Sequence, residues 1–175
     1  AIDQHLNNHV VIVGFTDTGR NIARVIRMAK IPFVAIDKDP EITLASTGNK
    51  RMPVVFGNAS NVSILKHAQI EKSRAVVITI KSSSEARLII NEIRKLSKTT
   101  HIIAISSSMA DMANTVEAGA NEVISHQFES SVELVTRLLT KYLVPRSEID
   151  DFVVRLRGLN YDMARNIRYE QQGLQ

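Results

Sequence analysis

The chain has 175 residues, is 44% apolar and 23% charged, contains no cysteine or tryptophan, and carries a formal net charge of +4. These totals fit one globular domain plus an appendage, and the missing cysteine excludes disulfides, thiolate nucleophiles and cysteine-held zinc. The positive excess is spread along the chain without a basic run interleaved with aromatics, so it leaves no nucleic-acid footprint, and no apolar run reaches the ~20 residues of a membrane span.

From the N-terminus, His9–Val13 reads as an apolar strand, Arg20–Ala29 as a helix with Ile22, Ala23, Val25, Ile26 and Ala29 on one face, and Pro32–Ile36 as a second strand. Pro40–Thr47 reads as a short helix stopped by Gly48, Pro53–Phe56 as a third strand, and Val62–His67 as a further helical turn or two. The rhythm then repeats: strand Ala75–Ile80, helix Ser83–Leu96, strand His101–Ile105, helix Met109–Ala118, strand Glu122–Ile124. Strands that are apolar throughout imply cover on both faces and hence a parallel sheet. Six of them alternating with helices predict a Rossmann-like, doubly wound α/β sheet in the order 3-2-1-4-5-6.

Beyond about Phe128 the strands stop. Phe128, Val132, Val135, Leu139 and Tyr142 share one helical stripe, Pro145 breaks it, and Ser147 opens a second helix with Asp150 as its capping partner. Ile149, Phe152, Val153, Leu156, Leu159, Met163 and Ile167 continue the stripe, with Gly158 expected to bend the helix. The division is therefore a nucleotide-binding domain over residues 1–126 and a helical extension over 127–175. Because the sheet's own helices are expected to cover it, the long stripe is assigned to a second copy of the chain in preference to its own domain. The five histidines, His5, His9, His67, His101 and His126, lack metal-ligand spacing and read as surface or loop residues. No signal peptide is visible, and a first residue of Ala points to a processed chain or a piece of a longer one.

In such a sheet a ligand binds where strand order reverses, past the ends of strands one and four. Four stretches converge there. Gly14-Phe15-Thr16-Asp17-Thr18-Gly19 is the strand-to-helix turn. Asp37, 23 positions after Gly14 and followed by Lys38, is placed to accept from ribose hydroxyls. Asn58-Ala59, after Gly57, borders a base, and Thr79-Ile80-Lys81 offers backbone groups and a cation to a phosphate. The usual middle glycine, which lets pyrophosphate approach the backbone, is replaced by branched Thr16. Asp17 adds a negative charge at the positive end of the first helix, with Arg20 placed to offset part of it. Thr16 or Asp17 is also placed to cap that helix and occupy the amides a phosphate needs. An AMP-like mononucleotide is therefore preferred to NAD(H), ATP and ADP remain open, and loss of binding is the main competitor.

The stretches HVVIVGFTDTGRNIARVI, VAIDKDP, VVFGNASNVSIL, AVVITI and AGANEVIS resemble, in order and spacing over about residues 8–126, the RCK, KTN or TrkA-N regulatory domains of potassium channels and transporters. The segment from FESSVELV to NYDMAR is similar to the one that follows this domain in Kef-type cation:proton antiporters. The resemblance implies a non-catalytic sensor on the cytoplasmic face of the cell membrane. It implies a homodimer through the C-terminal helices, an adenine nucleotide at the strand ends, and a membrane channel or antiporter in the same or a partner chain. Gly14 and Gly19 match its turn glycines and Asp37 its ribose acid. Thr16 and Asp17 depart from it, as do Ile105 and Ser106 where an Ala-Arg pair is usual. A ligand would act by favouring one dimer geometry over another, with the movement in Phe128–Arg168 about Pro145. The alternatives are a dimerising scaffold with a vestigial site and an NAD-dependent oxidoreductase, for which no acid-base constellation is visible.

Overall fold

The computed structural model describes residues 6–46 and 52–172. The predicted stop at Gly48 and the residue His5 lie outside them, as do the side chains of Met163 and Ile167. Strands β1 (Val10–Val13), β2 (Phe33–Asp37), β3 (Val54–Phe56), β4 (Ala75–Ile78), β5 (His101–Ser106) and β6 (Glu122–Ser125) form one parallel sheet in the order 3-2-1-4-5-6. Between them run helices α1 (Asp17–Met28), α2 (Pro40–Ser46), α3 (Val62–His67), α4 (Ser83–Leu96) and α5 (Met109–Glu117). Helix α1 starts three residues before the predicted Arg20, because the glycine turn passes directly into its first turn.

Alternate residues of the strands feed two cores. On one face Val11, Val13, Val34, Ile36, Val76, Ile78 and Ile102 pack against Leu65 of α3, Ile89, Ile90 and Ile93 of α4, and Met112 of α5. On the other, Ile12, Phe33 and Ala35 pack with Phe15 and Ala23, flanked by Ile22, Ile26 and Ile42 of α1 and α2. Burying each large aliphatic side chain contributes about 1.5–3 kcal/mol. At the lower end of α4, Arg94 ties the starts of β5 and β6 together. Its guanidinium donates to the carbonyls of Gly119 and Thr100 at 2.8 Å and to Asn121 Oδ1 at 2.7 Å.

The expectation of helical cover on both faces fails for half of the sheet. Register places Ala75, Val77, His101, Ile103, Ile105, Glu122 and Ile124 on the same face as Val10 and Ile12. Along β4, β5 and β6 burial alternates, and on this face Val77, Ile103 and Ile105 are only half-buried while Ile124 is 40% exposed. Among the described residues, α1 and α2 on this side pack against β1–β3.

Helices α6 (His126–Lys141) and α7 (Arg146–Gln172) follow. The opening turns of α7 fold back on their own domain: Ile149 and Val153 are buried with Val132 of α6, flanked by Phe128, Leu139, Val144 and Leu156. The preference for a second copy is thus corrected for this end of the stripe. Phe152 and Leu159, and on α6 Leu138 and Tyr142, remain exposed. Ser147 is not the cap of α7, whose first turn instead bonds to the Pro145 carbonyl, and Asp150 pairs with Arg146 at 3.4 Å. The helix also continues through Gly158. Helix α6 ends in a Schellman turn, with Val144 N–H bonded to Leu139 O and Leu143 N–H to Thr140 O. This turn places Leu143 at φ +56, in the left-handed region.

His9 is not a surface histidine. It is fully buried below β1, its Nε2 lies 2.9 Å from the Ala68 carbonyl, and its Nδ1 has no partner among the described residues. Burial pushes its pKa below the ordinary 6.5, against the opposing pull of the Ala68 carbonyl. As pH falls below about 6.5 the unfolded chain takes up a proton that the folded chain refuses, so stability drops on acidification. Urea unfolding from pH 8 to 5 is expected to show this loss in the wild type and a shallower one in His9→Gln.

Candidate nucleotide site at the strand reversal

The local chemistry of the β1–α1 turn sets the site. Gly14 adopts φ +93, and a Cβ there would lie 2.7 Å from Thr79 Oγ1, which donates to the Gly14 carbonyl at 2.8 Å. A Cβ at Gly19 would lie 2.1 Å from the Gly14 carbonyl oxygen, so α1 reaches its close approach to β1 only with glycine at that position. Asp37, at the end of β2, accepts from Phe15 N–H at 2.6 Å through Oδ2 and from Asp39 N–H at 2.8 Å through Oδ1. The predicted ribose acid therefore also holds two loops in place. Each carboxylate oxygen keeps a lone pair for an incoming hydroxyl.

These contacts frame a cavity of about 300 Å³ lined by Val13, Gly14, Thr16, Ile36, Asp37, Lys38, Gly57, Asn58, Ala59, Thr79, Ile80, Lys81 and Glu85. Nine of the predicted residues meet here: Gly14, Thr16, Asp37, Lys38, Asn58, Ala59, Thr79, Ile80 and Lys81. Phe15 instead points into the core, leaving its amide to Asp37, and Gly19 sets the packing of α1. Thr18 lines a second cavity of about 630 Å³, with Ile105, Ser106, Ser107, His126, Gln127, Ser130, Ser131 and Leu134. Thr16, Thr79, Ile80 and Lys81 border both cavities and stand between them.

Asp17 lines neither cavity. Its carboxylate is 94% exposed and pairs with Arg20 at 2.6 Å. Arg20's hydrogen bond and charge hold the carboxyl below its ordinary range, with smaller contributions from Arg24 and Lys81. Arg20 thus offsets much of its charge, while Lys81, which borders both cavities, also interacts with it. The expected cap is also absent: Thr16 is the N-cap residue of α1 and makes no side-chain bond to the first-turn amides. Asn61, Ser82, Ser108 and Ser125 do cap α3, α4, α5 and α6. The sequence reading missed Glu85, whose Oε1 lies 2.7 Å from Lys38 Nζ across the mouth of the first cavity. No local signal marks it: Ser82-x-x-Glu85 is a capping-box pattern, which would turn Glu85 back onto the Ser82 amide and not toward Lys38.

A six-stranded parallel sheet with a glycine turn, an acid closing the second strand and a crevice at the strand reversal defines the class of Rossmann-type α/β domains. Within that class the chain belongs to the TrkA-N domain family, which it matches over residues 10–126. It is 27% identical over 168 residues to a protein of Alkalimonas amylolytica named as a K(+) efflux antiporter, KefB, covering 94% of this chain but 25% of that protein. The chain thus spans a quarter of that relative's length. Among solved structures it superposes on the Kef CTD of Shewanella denitrificans in AMP-bound form, with a TM-score of 0.78, 18% identity, and coverage of 93% of this chain and 99% of that one. The GsuK channel bound to NAD shares the fold with a TM-score of 0.71 and 19% identity, over 78% of this chain and 24% of that one. No helix among the described residues is long and apolar enough to cross a membrane.

Gly19→Ala is expected to destabilise the fold by about 1–3 kcal/mol, because the added methyl forces α1 off the Gly14 carbonyl. Urea denaturation beside a Gly158→Ala control checks this, since a Cβ at Gly158 meets nothing within 4 Å.

Proposed function

We propose that the chain is a ligand-sensing regulatory domain of a potassium efflux antiporter or channel, that it binds an AMP-like adenine nucleotide in the first cavity, and that it carries out no chemistry. The observation that carries the nucleotide reading is the preformed Asp37 carboxylate. Two backbone amides hold it in the wall of a cavity that is also lined by Thr16, the N-cap residue of α1, whose side chain caps none of the first-turn amides. First-turn amides free of a side-chain cap suit a phosphate, and Lys81 adds a cation at the same end. The AMP-bound Kef structure and the NAD-bound GsuK structure support an adenine nucleotide in this fold.

The preference for a mononucleotide rests on Thr16. A dinucleotide would need its pyrophosphate to cross the ridge between the two cavities, where Thr16 puts a branched side chain in place of the usual glycine. The exposed residues Leu138 and Tyr142 on α6 and the half-covered face of β4–β6 favour pairing with a second copy, so that the ligand acts on dimer geometry. The potassium-transport relatives support the reading that a membrane part is attached and that the domain lies on its cytoplasmic side.

Calorimetric titration with AMP, ADP, ATP, NAD⁺ and NADH is expected to rank AMP ahead of NADH. Asp37→Ala should weaken AMP by about tenfold or more, and Thr16→Gly should narrow the gap between NADH and AMP. No binding at millimolar concentration would favour the vestigial scaffold. Light scattering is expected to give a dimer for the wild type and a monomer for Leu138→Glu paired with Tyr142→Glu.

A further inference from the structure

We infer that Glu85 reads the base, accepting a hydrogen bond from the exocyclic amine of a 6-aminopurine and so making the first cavity selective for adenine. The inference rests on the adenosine reading of that cavity. Asp37 and the Gly14 turn hold the ribose and phosphate at one end, which leaves Lys38, Asn58, Ala59, Ile80 and Glu85 around the base. Ile80 and Ala59 supply apolar surface for the ring but no discrimination. Asn58 spends its side-chain oxygen on its own turn, accepting from Ser60 N–H at 2.9 Å and Ser60 O–H at 2.8 Å. Lys38 directs its ammonium to Glu85 Oε1 at 2.7 Å.

The side-chain NH2 of Asn58 is a donor and cannot accept from an amine, so Glu85 is the side-chain acceptor left for it. Its backbone amide is anchored to the Ser82 hydroxyl at the start of α4, and its side chain is 23% exposed. With Oε1 given to Lys38, Oε2 is left to accept. An ionised carboxylate is an acceptor only, so it favours the amine of adenine and disfavours the carbonyl oxygen that guanine presents at the same position. Lys38 balances the charge, so a neutral base does not dock against an unpaired anion.

The test compares AMP with purine riboside 5′-monophosphate, which lacks the exocyclic amine, by calorimetry on the wild type and Glu85→Ala. The wild type is expected to prefer AMP by about tenfold or more. In Glu85→Ala the ratio should fall to near one, while the amine-free ligand changes by no more than about twofold. An unchanged ratio, or equal loss of both ligands, would overturn the inference while leaving the adenosine site intact. A wild type that binds neither would overturn the adenosine reading itself and this inference with it. N6,N6-dimethyl-AMP tests the wild type without any variant: weak binding supports the inference, and binding equal to AMP overturns it.

Discussion

The Asp37 carboxylate is the contact on which the site depends. By accepting from the amides of Phe15 and Asp39 it ties the turn after β1 to the turn after β2. The Thr79 hydroxyl does the same from the other side, bonding to the carbonyls of Val13 and Gly14. Three strand ends are thereby fixed relative to one another before any ligand arrives. Charge-assisted bonds to backbone amides are among the stronger ones available to a folded chain. A preformed cavity spares a ligand the cost of ordering these loops.

Most of the architecture was legible because a doubly wound sheet advertises itself through repetition. Largely apolar runs of three to six residues, each followed by a helical period, leave few other topologies. The site residues followed from that frame, since Gly14, Asp37, Asn58 and Thr79 each fall at the end of a strand. Contacts made across space, between residues distant in sequence, were not legible. The pairing of Lys38 with Glu85, 47 positions apart, has no local signature. The capping expectation for Thr16 failed because the residue type permits a cap but does not compel one. His9 was misread because nothing in its neighbours announces that β1 begins beneath a buried carbonyl.

The half-covered face of β4–β6 separates what one chain can satisfy from what it leaves open. A run such as His101-Ile102-Ile103-Ala104-Ile105 reads as buried on both sides, yet only alternate residues are buried within the monomer. The sequence pattern of a doubly covered strand thus persists where, among the described residues, alternate positions stay half-exposed. Apolar surface of this kind, continuous with the proposed ligand crevice, is where binding and assembly can influence each other. Ile105 belongs to both the open face and the second cavity.

Leu143 gives the joint between α6 and α7 a mechanical character. The closing turn of α6 asks its residue 143 for a left-handed backbone, and leucine meets that request at a cost of about 1–2 kcal/mol. The small cluster of Val132, Ile149 and Val153 packs the two helices together across this turn. Residue 143 is thereby the keystone of the corner: the course of the 27-residue α7 past α6 is set by this turn together with the three side chains packed across it.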